Sequence, residues 1–178
     1  MADLVHGIPR VDPTSGPTGL RRAVARILTT KPGAAVHRTL FAPIDAPLMR
    51  LTGGRVSSAF GIVPLVVLRT TGARSGVQHD VPLGYFTDGD DVILIASNYG
   101  QAKQPSWYYN LLKNPEYELL ADGAEGRGGR FIAHLTEGAD RDRLFTLAER
   151  YLTNHTVHAA KTKGIRSIPV LRLTPKAP

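Results

Sequence analysis

The sequence predicts a mainly β, α+β domain: a small antiparallel barrel with helices attached. Three observations carry this expectation. From about residue 60 the apolar residues fall in short β-branched runs separated by tight-turn sequences. A single short aromatic helix interrupts those runs, and a last strand returns at the C-terminus. Helices do not alternate regularly with strands, which argues against a doubly wound parallel sheet.

Taken in order, residues 1–16 hold Pro9, Pro13 and Gly16 among few apolar residues and are expected to form a flexible tail. Residues 17–55 read as a basic helical segment. Leu20, Val24, Ile27 and Leu28 fall at helical spacing with Arg21, Arg22 and Arg26 off that stripe, until Pro32-Gly33 breaks the helix. A second helical series runs Val36, Leu40, Phe41, Ile44, Leu48, Leu51, split by Pro43 and Pro47 and ended by Gly53-Gly54.

Residues 56–178 are assigned to the barrel. Ile62–Thr70 is a β-branched run in which Pro64 demands an edge or first position. His79–Phe86 pairs with Asp91–Ser97 through Thr87-Asp88-Gly89-Asp90, a good tight-turn sequence. A short helix over 105–113 carries Trp107, Tyr108 and Tyr109 and is closed by Asn114-Pro115. Tyr117–Ala121 and Gly129–Thr136 form a second hairpin across the glycine-rich stretch 122–128. Residues 139–152 read as a helix with Leu144, Leu147, Ala148 and Tyr151 buried. A polar loop follows, and Ile168–Leu173 is the closing strand.

Composition narrows the function. The chain of 178 residues contains no cysteine, which excludes disulfides, thiolate metal sites and cysteine nucleophiles. The N-terminus lacks the apolar core of a signal peptide, and the longest apolar run, Ile62–Leu68, is too short to cross a bilayer, so a cytoplasmic protein is expected. Residues 1–60 hold eight Lys/Arg and three Asp/Glu, giving +5 of the net +7. Such a field suits nucleic acid, an anionic membrane surface or an acidic small molecule. No nucleic-acid module or basic–aromatic interleaving is present, so nucleic acid is not an expected partner. The helix at 20–28 has two readings: peripheral contact with an anionic membrane, or packing on the barrel.

Several chemistries are missing. The serine of Gly72-Ala73-Arg74-Ser75-Gly76 is displaced from the position a nucleophile elbow requires. Rossmann and phosphate-loop glycine fingerprints are absent. His155 and His158 have no carboxylate or third ligand close in sequence, so no metal is expected. His79-Asp80 cannot act together with Ser75, because adjacent strand residues point to opposite faces. With no acid–base constellation in view, an enzyme would need a cofactor that supplies the chemistry.

Three signals in one order point to such a cofactor: the strand and turn Leu68–Gly76, the segment Ala96–Lys103, and the helix Pro105–Leu111. Turn amides beside Arg74 suit a phosphate, and an aromatic helix suits a flat ring. Together with Pro82-Leu83, Asp88-Gly89-Asp90 and Asn114-Pro115, these residues resemble the deazaflavin-dependent nitroreductase family, over roughly residues 20–174. The resemblance implies a split β-barrel of the flavin-reductase type and coenzyme F-420, an 8-hydroxy-5-deazaflavin with a phospholactyl oligoglutamate tail; FMN is the alternative ring. It implies that Arg74, Ser75 and Gly76 bind the phosphate and tail and that Pro82 lines the ring. Ala96, Ser97 and Asn98 would contact its polar edge or linker, Lys103 would add charge near the acidic tail, and Trp107 and Asn110 would close the pocket.

The chain departs from the family at Ala73 and His79, where second cations are common, with His79 left as the cofactor-side residue, and at Asn98, where some members have lysine. In 151–167 the tyrosines typical of nitroreductases are replaced by Asn154, Val157 and Ala160, leaving Tyr151 as the nearest phenol. The expected activity is therefore hydride transfer to a small-molecule acceptor such as a quinone, enone or other conjugated carbonyl, with Ser97 or Tyr151 stabilising the developing anion. The alternative is a non-catalytic cofactor- or lipid-binding carrier.

Overall fold

A computed structural model describes residues 3–15, 64–121, 127–151 and 155–177, with 44, 48 and 51 as isolated positions. The basic helix expected at 20–28 lies outside these residues. Ile44, Leu48 and Leu51 of the second apolar series are helical.

Six antiparallel strands close into a barrel: β3 (Leu65–Thr71), β4 (Gln78–Asp88), β5 (Asp91–Ile95), β6 (Glu116–Ala121), β7 (Gly128–Leu135) and β8 (Val170–Pro175), in the spatial order β3-β4-β5-β8-β7-β6. Pro64 sits just ahead of β3, where its missing N–H costs no ladder bond. Asp88 pairs with Asp91, so β4 and β5 turn on two residues, and Gly89 takes the left-handed conformation (φ +61°) such a turn needs. Alternation along the strands decides what is buried. Val66, Leu68, Tyr85, Val92, Leu94, Tyr117, Leu119, Phe131, Leu171 and Leu173 fill the barrel as one core. The residues between them face out, and Phe86, Ile93, Ile95 and Val170 are covered by Leu144 and Ala148 of a helix, α2 (Gly138–Tyr151). Each fully buried side chain of this kind contributes roughly 1.5–3 kcal/mol.

Helix α1 (Ser106–Lys113) links β5 to β6 as expected. The polar loop expected after residue 152 is instead a second helical piece, α3 (His155–Thr162). Its buried side chains include His158 and Thr162, which are polar, so no apolar stripe announces it.

The N-terminus also departs from expectation. Residues 4–9 form a hairpin, β1 (Leu4–Val5) and β2 (Ile8–Pro9), and Val5 and Ile8 enter the main core. The His6 ring lies edge-on to Phe131, and a Cβ on Gly129 would come within 2.0 Å of that ring. Beyond the hairpin, Val11 N–H donates to Thr87 Oγ1 (3.0 Å) and Thr87 N–H to the Val11 carbonyl (2.9 Å). Arg10 reaches Asp90 (2.5 Å) at the β4–β5 turn. These first residues cap one end of the barrel rather than trailing loose.

Candidate cofactor site

Strands β3 and β5 run in the same direction, both antiparallel to β4, so their C-terminal ends emerge from the same end of the barrel. The turn after β3 is set by its own backbone: Gly72 N–H donates to the Val77 carbonyl (2.8 Å) and Gly76 N–H to the Gly72 carbonyl (2.9 Å). The Ser75 hydroxyl folds beneath Gly72, where a Cβ would meet Ser75 Oγ at 2.4 Å and His79 Nε2 at 3.2 Å, so a larger residue would have to turn the Ser75 side chain out of the bend. Gly76 holds φ +67°.

Helix α1 clamps this turn. Asn110 Oδ1 accepts from Ala73 N–H (2.9 Å), while its Nδ2 donates to Thr70 Oγ1 (3.1 Å). Lys113 Nζ donates to the Ala73 carbonyl (2.7 Å), and Asn114 Nδ2 to the Thr71 carbonyl (3.3 Å). The Arg74 guanidinium is left exposed and bonded to none of the described residues.

After β5 the chain bends sharply. Ser97 is right-handed (φ −72°, ψ −28°), whereas Asn98 (φ +45°), Tyr99 (φ +55°) and Gly100 (φ +73°) are left-handed in succession. A right-handed residue followed by a left-handed one turns consecutive amides the same way. Here Ser97 N–H is spent on the Ile95 carbonyl (2.9 Å), Gly100 N–H on the Ser97 carbonyl (2.9 Å) and Gln101 N–H on the Asn98 carbonyl (3.0 Å), so the Asn98 amide is the donor this bend can offer a polar ring edge. Asn tolerates this conformation, whereas a left-handed Tyr is disfavoured, so the surroundings must hold Tyr99. Asn98 Nδ2 donates to the Lys103 carbonyl (2.8 Å) and closes the loop.

Arg166 supplies the larger restraint. Its Nε donates to the Gln101 carbonyl (2.8 Å), Nη2 to the Ser97 carbonyl (2.8 Å), and Nη1 to Gln104 Oε1 (2.6 Å), the Ser167 carbonyl (3.2 Å) and the Ala96 carbonyl (3.4 Å). Helix α3 covers the loop from outside: the Tyr99 ring meets His158 edge-on at 6.1 Å, and a Cβ on Gly100 would lie 2.9 Å from Lys161. Burial, with added repulsion from Lys161 and Arg166, pushes the His158 pKa down to about 4 and keeps the ring neutral.

The residues singled out from sequence thus sort by exposure. Arg74, Ser75, Gly76, His79 and Lys103 are exposed, and Pro82, Ser97 and Asn98 are half-buried. Ala96, Trp107 and Asn110 are buried. Trp107 and Ala96 both belong to the main core. Asn110 spends its side chain on the turn. Tyr151 lies on the last turn of α2, against the outer cluster that includes Ile95.

Arg166 escaped the sequence reading, because a lone arginine in a polar stretch has no periodic context. Lys113, which grips the turn, was equally silent, and Asn114 enters the sequence reading only through the Asn114-Pro115 helix stop and the family motif.

The donor set fits a phosphorylated ring carrying an acidic tail. Arg74, Lys103, Lys113, Lys161 and Arg166 carry no carboxylate partner among the described residues. Unneutralised cations beside oriented amides are what phosphate and glutamyl carboxylates require. No group of three or more His, Cys, Asp or Glu capable of holding a metal occurs among the described residues.

Comparison with known proteins agrees with this chemistry. A family model described as F420H2-dependent quinone reductase matches residues 44–175. An F420H2-dependent quinone reductase of Mycobacterium tuberculosis is 32% identical over 148 residues, covering 78% of this chain and 97% of that protein. A solved F420-H2 dependent reductase superposes with a TM-score of 0.54 at 31% identity, over 62% of this chain and 93% of the other. A second solved chain, described as a domain-swapped dimer, gives a TM-score of 0.55 at 27% identity over 71% of this chain and 93% of its own length. The barrel is a split barrel of the F420-dependent reductase type, and the chain belongs to the F420H2-dependent quinone reductase family.

Proposed function

We propose that the protein transfers a hydride from reduced coenzyme F-420 to a quinone, with enones and other conjugated carbonyls as further acceptors of the same class. The observation that carries this reading is the pairing, at one barrel end, of the Arg74 turn with the left-handed bend at Ser97–Asn98, beside cations that have no carboxylate partner among the described residues. When bound, the reduced deazaflavin supplies the hydride; the chain binds, orients and excludes water.

Arg74, with Ser75 and Gly76 of its turn, would hold the phosphate, and Lys103 would draw the acidic tail. His79 borders the turn beside Gly72, and Pro82 offers a flat apolar surface to the ring. Ala96, which shares the main core with Trp107, would line the ring, and Asn98 would offer its amide. Ser97, or Tyr151 reached across the β5 end, donates a hydrogen bond to the oxygen on which negative charge develops. Asn110 acts by fixing the turn.

The test is anaerobic mixing of the protein and reduced coenzyme F-420 with a short-chain quinone, followed by return of the oxidised deazaflavin absorbance. Turnover is expected to fall in Ser97→Ala and in Trp107→Leu. Unchanged kinetics in both variants would remove the ring site from this end of the barrel.

Residues 17–55 are taken as a basic helical segment and 56–178 as the cofactor-binding barrel, in a cytoplasmic protein. Quinones are lipid-soluble, and the +5 charge of residues 1–60 would let the protein rest on an anionic membrane. No helix among the described residues is long and apolar enough to cross one. Co-sedimentation with anionic but not zwitterionic liposomes, lost at high salt, is the expected result; equal sedimentation with both would oppose it.

A further inference from the structure

We infer that Arg166 is a positioning residue of the cofactor site: it straps the strained Ser97–Gln101 loop in the shape that sets Ser97 and the Asn98 amide against the ligand. The inference rests on the reading of this barrel end as the F-420 site.

Three observations lead to it. The loop holds three successive left-handed residues, two of them not glycine, a conformation that persists only under external restraint. The Arg166 fork brackets that stretch, with bonds to the Ala96 and Ser97 carbonyls before it and to the Gln101 carbonyl and Gln104 side chain after it. One planar group joins both ends of the bend, a geometry that lysine cannot reproduce.

The third observation is the character of its partners. Each acceptor is a carbonyl oxygen, so the charge is solvated by dipoles and is not cancelled by a carboxylate. Burial lowers the tendency of this guanidinium to stay charged, partly opposed by the nearby Tyr109 phenol. An uncancelled charge held there serves the same acidic ligand as the loop does. Elsewhere, Arg172 and Arg143 face carboxylates and tie elements together. Arg141 is the natural control: it also donates to this C-terminal segment, at the Ile168 carbonyl (3.0 Å), but bonds to nothing in the 96–104 loop.

The experiment compares wild type, Arg166→Gln, Arg166→Lys and Arg141→Gln by amide hydrogen exchange without ligand and by fluorescence titration with coenzyme F-420. Exchange at Gly100 and Gln101, whose amides donate to the Ser97 and Asn98 carbonyls, is expected to accelerate at least tenfold in both Arg166 variants. Exchange in β3–β8 should stay near wild type, and Arg141→Gln should leave the loop unchanged. F-420 affinity should fall about tenfold or more in both Arg166 variants and hold in Arg141→Gln.

Full recovery of affinity in Arg166→Lys would overturn the assignment, because charge alone would then suffice. Unchanged loop exchange in Arg166→Gln would overturn it too. So would faster exchange with unaltered affinity. If the wild type fails to bind F-420, the cofactor reading falls, while loop exchange still decides whether Arg166 is the strap.

Discussion

The two ends of the barrel are held by opposite electrostatic arrangements. Around the β4–β5 turn, cations meet carboxylates: Arg10 reaches Asp90, while Arg172 bridges Asp91 (2.7 Å), Asp88 (2.9 Å) and Asp140 (3.1 Å). Arg143 joins Asp88 (2.7 Å) and Asp140 (2.9 Å) to the same network. At the C-terminal ends of β3 and β5, Arg74, Lys103, Lys161 and Arg166 find no carboxylate among the described residues. The first end is satisfied within the chain and performs a structural task. The second keeps positive charge that no carboxylate among the described residues cancels, as the proposed acidic cofactor requires. Charge left uncancelled marks function here better than charge as such.

The contrast can be broken by substitution. Ile8→Ala removes a fully buried side chain at the capped end and should cost about 3 kcal/mol in urea unfolding, with F-420 affinity unchanged. A loss below about 0.5 kcal/mol would return the N-terminus to a loose tail.

The next largest effect separates the two ends by pH. The folded state holds His158 neutral down to about pH 4, whereas the unfolded chain takes up its proton near 6.5. Stability on this account is full above 6.5, falls by at most about 3 kcal/mol between 6.5 and 4, and levels off below. His158→Asn should flatten that slope. Asp88 and Asp140 titrate the other way in cause: hydrogen bonds from Arg143 hold both below the usual carboxylate range, so their contribution is present at neutral pH and is lost only in stronger acid. Arg143→Gln should change only that lower window. A single slope common to both variants would merge the two ends.

Asn110→Ala should cost roughly 1–3 kcal/mol, because it leaves the Ala73 amide and the Thr70 hydroxyl unsatisfied, and should also weaken F-420 binding. Smallest in stability is Arg74→Ala. Its exposed side chain should leave unfolding within about 0.5 kcal/mol of wild type while it lowers F-420 affinity and flattens its salt dependence. Loss of stability without loss of affinity would make Arg74 structural.

Much of the barrel was legible from the chain itself. Two-residue periodicity and the Asp88-Gly89-Asp90-Asp91 turn are local signals, and local signals survive folding. The β3–β4 turn was legible as well, because Gly72 and Gly76 bound it and Gly76 supplies the positive φ (+67°) it takes. What escaped was non-local. Val5, Ile8 and Val11 are spaced by three along a tiny hairpin and its continuation, a pattern that neither strand nor helix periodicity detects. Helix α3 buries His158 and Thr162 instead of an apolar stripe. Arg166 gains its meaning only from carbonyls some sixty to seventy residues earlier in the chain. Of the predicted contacts, Trp107 and Asn110 sit behind the site, supporting it from the core and from the turn.

The most direct test is a fluorescence titration of the purified protein with coenzyme F-420 beside FMN, in wild type and Arg74→Ala. The account predicts saturable binding of the deazaflavin in preference to FMN, weakened in the variant. Preference for FMN, or no binding of either, would contradict it.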